Sequence, residues 1–440
     1  MRPAPRYTSY PTAPHFSDQV GPGDYERWLA RLDPAKPLSL YLHVPFCREL
    51  CWYCGCNMKL ARREGPIAAY ARTLIREIAL IADRLPARMS VSHIHWGGGT
   101  PTALAPADLA LVMAAVRGRF DLADGAEIAI EGDPRTLTEP MADRIGALGF
   151  TRASFGVQEF DPKVQIAINR IQPPAMVAEA VERLREAGVA GVNFDLIYGL
   201  PHQTERALRE TIRLAAEMRP DRIALFGYAH VPWMAKKQRL IDEAALPGAA
   251  ARMGQAAAAA SALKAAGYLQ IGLDHFALPE DGLARAAAEG SLRRNFQGYT
   301  TDAAETLIGF GATSIGRSRF GYVQNIVETR AWTRAVEAGE PPIGKGLALT
   351  EADRLRAFVI DALMCAGKAD LSAAAARFDA PTRWWADAEP ELEAFEADGL
   401  IRRDGSCVSL TPAGEPLRRV VASAFDAYLP KRAARHSVAV

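Results

Sequence analysis

Nowhere in this 440-residue chain does an apolar run approach the length needed to cross a bilayer, so a membrane-spanning helix is not expected. Charge of one sign is also missing. The 52 basic residues balance 51 acidic ones at a net charge of +1, which argues against a general role on nucleic acid or on a membrane surface. The start, Met-Arg-Pro-Ala-Pro-Arg-Tyr, has no apolar signal region, so the expected compartment is the cytoplasm, where thiols stay reduced. Cysteine is sparse, six residues in all, and a second short Cys or His pair of the kind that completes a structural zinc site is absent. Cys365 and Cys407 stand alone and read most simply as packing residues.

What is present is concentrated. Four of the six cysteines fall within ten residues, as Cys47-x3-Cys51-x2-Cys54-x-Cys56, directly after an apolar stretch at 38–46. Three thiolates that close can hold a cubane iron–sulfur cluster. Such clusters usually take four cysteines, so three leave one iron open to a small chelating ligand.

At this length a large domain plus a smaller one is expected. Strand-like runs at 38–46, 91–96, 127–131, 153–157, 192–197 and 223–228 alternate with helical patterns at 67–84, 107–119, 139–147, 176–187 and 206–218. That alternation predicts an α/β fold with a parallel sheet, closed as a partial (β/α) barrel rather than doubly wound. Barrels build sites from the loops at the C-terminal ends of their strands. Here those loops carry the cysteines, Gly97-Gly98-Gly99-Thr100-Pro101, Glu131-Gly132-Asp133-Pro134-Arg135, Gln158, Asp195 and Ala229-His230-Val231-Pro232. The glycine run lacks the Lys-Ser/Thr of a phosphate loop, and reads as backbone brought close to a small ligand.

The cysteine spacing resembles that of radical S-adenosylmethionine (SAM) enzymes. Within them, Pro5-Arg6-Tyr7-Thr8-Ser9-Tyr10-Pro11-Thr12-Ala13, the ending Cys54-Gly55-Cys56-Asn57, Asp274-His275-Phe276-Ala277-Leu278-Pro279 and Asn295-Phe296-Gln297-Gly298-Tyr299-Thr300-Thr301 resemble the oxygen-independent coproporphyrinogen III oxidase family. The match runs from residue 5 to about 365. The resemblance implies one 4Fe-4S cluster on Cys47, Cys51 and Cys54, with Cys56 a cysteine that does not bind iron. It implies two SAM molecules: Tyr41, Gly98, Glu131 and Ile315 contact the cluster-bound one, and Tyr53, Gly99, Thr100, Gln158, Arg170, Asp195 and Ala229 the second. The implied reaction is anaerobic oxidative decarboxylation of two propionates of coproporphyrinogen III, giving protoporphyrinogen IX. A 5′-deoxyadenosyl radical takes hydrogen from the propionate, and a separate reductant and electron acceptor are needed. The alternatives are a haem-binding or haem-transfer relative without oxidase activity, and a radical SAM enzyme acting on another substrate. The first typically lacks Cys56 and the 6–12 segment, and both are present here.

Four substrate carboxylates call for cations, and Arg6, Arg135, Arg293, Arg294, Arg317 and Arg319 are the candidates by position. The expected division is an N-terminal arm at 1–36, a catalytic domain at 37–345 with its barrel core at about 37–235, and a smaller C-terminal domain at 346–440. The proline-rich arm, with Tyr7 and Tyr10, is expected to close on the substrate site. In the C-terminal part, helices precede a hairpin signalled by Asp404-Gly405, which suggests a winged-helix-like module. Residues 351–440 carry 12 basic and 14 acidic side chains, so packing or substrate covering is expected rather than DNA binding. The protein is expected to work as a monomer.

Overall fold

The computed structural model describes residues 4–429; residues 1–3 of the expected arm and 430–440 of the C-terminal segment lie outside them. Among the described residues no helix is long and apolar enough to cross a membrane. The chain divides into two compact units, each discontinuous in sequence.

The larger unit, Phe16–Ala262 with Ala304–Ala348, holds the six expected strands: β1 (Leu38–Val44), β2 (Ser90–Gly98), β3 (Asp121–Gly132), β4 (Arg152–Gln158), β5 (Gly191–Tyr198) and β6 (Arg222–Gly227). They pair in parallel, each with the next. The crossovers carry α1 (Glu64–Ala82), α2 (Pro106–Arg119), α3 (Glu139–Ala147), α4 (Pro174–Glu186) and α5 (Glu205–Glu217). Four further strands continue past β1: β7 (Thr306–Phe310) pairs with it in parallel, and β8 (Ile315–Ser318), β9 (Gly321–Asn325) and β10 (Ile343–Ala348) follow antiparallel. The order within this unit is β10-β9-β8-β7-β1-β2-β3-β4-β5-β6.

The strands are two-faced. Leu38, Leu40, Leu42, Val91, Ile94, Trp96, Ile128, Ile130, Phe155, Phe194 and Leu196 are buried, the apolar half of a period-two alternation. The alternate positions are polar: Tyr41, His43, His93, His95, Glu127, Glu131, Arg152, Ser154, Asn193 and Asp195. At one end these close on themselves, where Arg152 donates to Glu127 (3.3 Å) and Asn193 (2.9 Å) and Arg222 lies 3.7 Å from Glu127. At the other end they stay open, beside the cysteines.

The second unit comprises residues 4–15, Leu263–Ala303 and 349–429. Its main helix, Glu351–Ala366, starts at a capping box in which Thr350 Oγ1 accepts from Asp353 N and the Asp353 carboxylate accepts from Thr350 N, and it stops at left-handed Gly367. The expected hairpin forms from Ile401–Asp404 and Cys407–Leu410, with Lys368–Asp370 as a third strand. The arm is held here. Tyr7 and Tyr10 join the apolar core of this unit; Tyr7 Oη donates to Asp426 (2.9 Å), and Tyr10 Oη accepts from Ala427 N (3.0 Å). Arg294, stacked 4.4 Å over Tyr299, donates to the Arg6 and Tyr7 carbonyls.

Candidate active site

The cysteine loop leaves β1 and is fastened from three directions. Phe46–Cys47 pairs with Lys59–Leu60. The Trp52 N–H donates to Ile168 O at 3.0 Å, and Asn169 Nδ2 reaches Leu50 O at 2.6 Å. Gln238 Nε2 donates both to Tyr53 O (2.7 Å) and to Ala229 O (3.1 Å), while Lys237 Nζ reaches Cys56 O (3.2 Å). The glycine run lies against the loop's stem. Gly98 has φ 114°, and a Cβ there would fall 2.5 Å from the His43 ring; at Gly99 it would fall 2.8 Å from Phe46 O.

Each of the three expected ligand sulfurs has a hydrogen-bond donor aimed at it. Thr100 Oγ1 lies 3.4 Å from Cys47 Sγ, and the Cys56 N–H lies 3.4 Å from Cys54 Sγ. Cys51 Sγ faces two guanidiniums, Arg170 at 3.3 Å and Arg135 at 3.4 Å. Burial pushes the Cys47 thiol up to about 11, Thr100 opposing it. Cys54 is drawn down to about 6, chiefly by the Cys56 thiol's hydrogen bond and then by Lys237. The donor set suits an anionic cluster, whose potential responds to hydrogen bonds on its sulfurs. Among the described residues no three His, Cys, Asp or Glu groups converge on one point as for a single metal ion, and ligands that each bind a different iron need not do so.

The two guanidiniums at Cys51 are held by one carboxylate. Asp133 lies 2.6 Å from Arg135 and 3.3 Å from Arg170, and their side chains are only 10, 5 and 7 % exposed. Burial alone raises the Asp133 carboxyl, but Arg170 and then Arg135 outweigh it and hold the group below the usual carboxylate range.

Above the glycine run, Tyr41 stacks on His95 with ring centroids 5.9 Å apart, and His95 Nε2 meets Glu131 Oε1 at 3.0 Å. The other Glu131 oxygen accepts the Gly98 N–H at 3.1 Å. Tyr41, Gly98 and Glu131 are thereby brought together; Ile315 comes in from β8, its backbone against Gly309, which registers with Tyr41. On the next strands Gly156 registers with Asp195, and its carbonyl accepts from Arg170 Nε at 2.9 Å. Gln158, at φ 65°, sits at the same strand end, and Gln238 joins Tyr53 to Ala229. Asp195 is raised to about 7 by burial and then by Glu131, with His95 and Arg170 opposing.

The comparisons with known proteins fit this geometry. A family model described as the radical SAM superfamily matches residues 41–215, and one described as the HemN C-terminal domain matches residues 349–417. An oxygen-independent coproporphyrinogen III oxidase of Bradyrhizobium diazoefficiens is 52% identical over 436 residues, covering 99% of this chain and 97% of the relative. The chain belongs to the oxygen-independent coproporphyrinogen III oxidase family. Another member, from Paracoccus denitrificans, is 42% identical over 99% of this chain and 96% of its own. The solved structure of coproporphyrinogen III oxidase from Escherichia coli, a radical SAM enzyme, superposes with a TM-score of 0.92 at 39% identity, covering 96% of this chain and 98% of that one. Membership of this family implies a 4Fe-4S cluster and SAM.

The choice of substrate arginines by position needs correction in this structure. Arg135 is committed to Asp133, Glu49 and the Cys51 sulfur, which leaves it a support of the cysteine loop rather than a grip for substrate. Arg317 and Arg319 lie at the wrong end of the sheet. β8 runs back along β7, so Arg317 pairs with Leu307 and Arg319 sits in the following turn, near the start of β1, where it stacks 4.7 Å from Phe320. Arg6, Arg293 and Arg294 belong to the other unit; Arg6 and Arg293 are exposed, and Arg294 is buried on Tyr299. Two residues that hold the site were not singled out from sequence, and Asp133 was named only within its loop and given no role. His95 was signalled by the alternation His93-Ile94-His95; Gln238 had no signal beyond its neighbours.

Proposed function

We propose that this chain catalyses the oxygen-independent oxidative decarboxylation of coproporphyrinogen III to protoporphyrinogen IX in haem biosynthesis. The observation that carries the reading is the set of three cysteine sulfurs, each with its own donor, beside the Tyr41–His95–Glu131 ledge in a chain of this family. Cys47, Cys51 and Cys54 would hold the cluster, which with SAM would supply a 5′-deoxyadenosyl radical for hydrogen abstraction from the propionate.

The protein's own contribution is placement. Tyr41, Gly98, Glu131 and Ile315 would line the position for a SAM beside the cluster, Glu131 offering a carboxylate to an ammonium or to ribose hydroxyls. Tyr53, Gly99, Thr100, Gln158, Arg170, Asp195 and Ala229 form the position for a second SAM. Arg6 and Arg293 are the exposed cations for substrate carboxylates. Residues 37–345 carry the chemistry and 346–440 an accessory module. The enzyme acts as a monomer in the cytoplasm, and draws its electron from, and passes one to, separate molecules.

The test is anaerobic. The reconstituted protein is given reductant, SAM, coproporphyrinogen III and an electron-accepting cell extract, and porphyrins are followed by chromatography. Protoporphyrin accompanied by 5′-deoxyadenosine supports the assignment. SAM cleavage with coproporphyrinogen left intact points to another substrate, and bound haem without SAM cleavage points to haem transfer.

A further inference from the structure

The segments fastened to the cysteine loop are rich in cations. Residues 59–63, 163–171 and 233–240 contain eight Lys or Arg, one of them the buried Arg170 paired with Asp133, and no Asp or Glu, in a protein whose net charge is only +1. Arg62, Arg63, Lys163, Lys236 and Arg239 are exposed, and none has an acidic partner among the described residues. Lys59 meets Glu328 at 3.8 Å, and Lys237 is held on Cys56 O.

Apolar side chains stand among these cations. Ile166 is 64% exposed, Ile171 60%, Trp233 51% and Met234 75%. Isolated exposed apolar residues need no explanation, but these sit on two segments rooted in one apolar cluster, Val164, Ile168, Tyr228 and Ile241, against which Trp52 and Tyr53 of the cysteine loop pack. Aromatic and Met anchors within a ring of unpaired like charges are the composition of a transient protein interface. Its partner is acidic.

We infer that this surface docks an acidic one-electron carrier protein, which delivers the electron to the cluster through the cysteine loop. The inference rests on the iron–sulfur reading of Cys47, Cys51 and Cys54. It deepens that reading by naming the class of reductant and where it binds. The occupant is a protein rather than the tetracarboxylate substrate because the patch pairs its charge with four apolar residues spread over two segments, and both segments hold the cysteine loop by its backbone, at Leu50 and at Tyr53.

The test uses reconstituted holoenzyme under anaerobic stopped flow, with a reduced, acidic plant-type [2Fe–2S] ferredoxin as the probe and dithionite as the comparison reductant. Bleaching of the cluster's visible absorbance is the readout. The double variant Lys236→Glu/Arg239→Glu is expected to lower the second-order rate with ferredoxin about tenfold at low salt and to flatten its ionic-strength dependence. Trp233→Ser/Met234→Ser is expected to lower the rate at every salt concentration. Dithionite reduction and dithionite-driven porphyrin conversion should stay at the wild-type level in both. Ferredoxin rates unchanged in both double variants would overturn the inference, as would a raised KM for coproporphyrinogen III with dithionite, which would give the patch to the substrate. A wild-type cluster that accepts electrons from dithionite yet converts no coproporphyrinogen counts against the proposed reaction and leaves the docking result to stand on its own.

Discussion

Replacing Asp133 by Asn keeps the shape of the side chain and removes the one charge that two buried guanidiniums share. Arg135 retains Glu49, an exposed partner, but Arg170 loses its one ion-paired carboxylate among the described residues and keeps hydrogen bonds to the Gly156 carbonyl and the Cys51 sulfur. Breaking a buried pair from one side costs about 3–5 kcal/mol, because an uncompensated charge is left inside. For a unit of this kind that corresponds to a fall in Tm of about 6 °C or more. The linkage has a definite sign. The Asp133 carboxyl is held below its ordinary value, so its contribution is present above the unfolded pKa and disappears as pH falls through the folded one. Thermal denaturation of the cluster-free protein, followed by circular dichroism from pH 3 to 8, should therefore show a full gap between wild type and Asp133→Asn at neutral pH. That gap should narrow below about pH 4. A difference under about 1 kcal/mol at pH 7, or a gap of constant size down to pH 3, would refute the argument that Asp133 works as a charge.

Three other outcomes are expected. Tyr70 Oη donates to His43 O (2.8 Å) and accepts from Ala312 N (2.9 Å), so Tyr70→Phe leaves two buried groups unpaired; stability should fall by about 2 kcal/mol or more, and equilibrium dialysis of SAM against the oxidised holoenzyme should show weaker binding. Gly99→Ala places a methyl against the Phe46 backbone and should lower iron and sulfide bound per chain after reconstitution, whereas Gly118→Ala, which meets nothing within 4 Å, should load normally. Asp195, raised from 3.8 to about 7, gives stability that is full only below its ordinary value and is lost as pH rises from there through 7; Asp195→Asn should match wild type only below about pH 4 and exceed it increasingly up to pH 8 in denaturant titrations.

The six parallel strands were legible because each pairs a buried apolar face with a polar one and most end at Gly or Pro, as in Gly97 to Pro101 and Gly199 to Pro201. Strands β7 to β10 were not. They are four to six residues long and interrupted by Gly309, Gly316, Gly321, Gly344 and Gly346, so neither a run nor a clean alternation announces them. The same hidden hairpin misplaced Arg317 and Arg319: position in the sequence suggested the rim, but an antiparallel strand carries its far end to the opposite edge of the sheet. Cysteine spacing announced the cluster loop outright. The environment of its sulfurs was invisible, because Arg170 and Lys237 reach it from segments far along the chain.

The pairing of β1 with β7 sets a clock on biogenesis. Leu38 to Leu42, the stem of the cysteine loop, is flanked on one side by β2, made soon after it, and on the other by Thr306 to Phe310, made only after all six parallel strands. Until the ribosome has delivered β7 and the Gly311 to Ile315 turn that follows, that edge of β1 is unpaired and the loop has thiols without walls. Iron and sulfide are therefore best supplied to a finished chain, and a protein stalled short of β7 offers exposed cysteines beside an open strand edge, a substrate for oxidation and aggregation rather than for assembly.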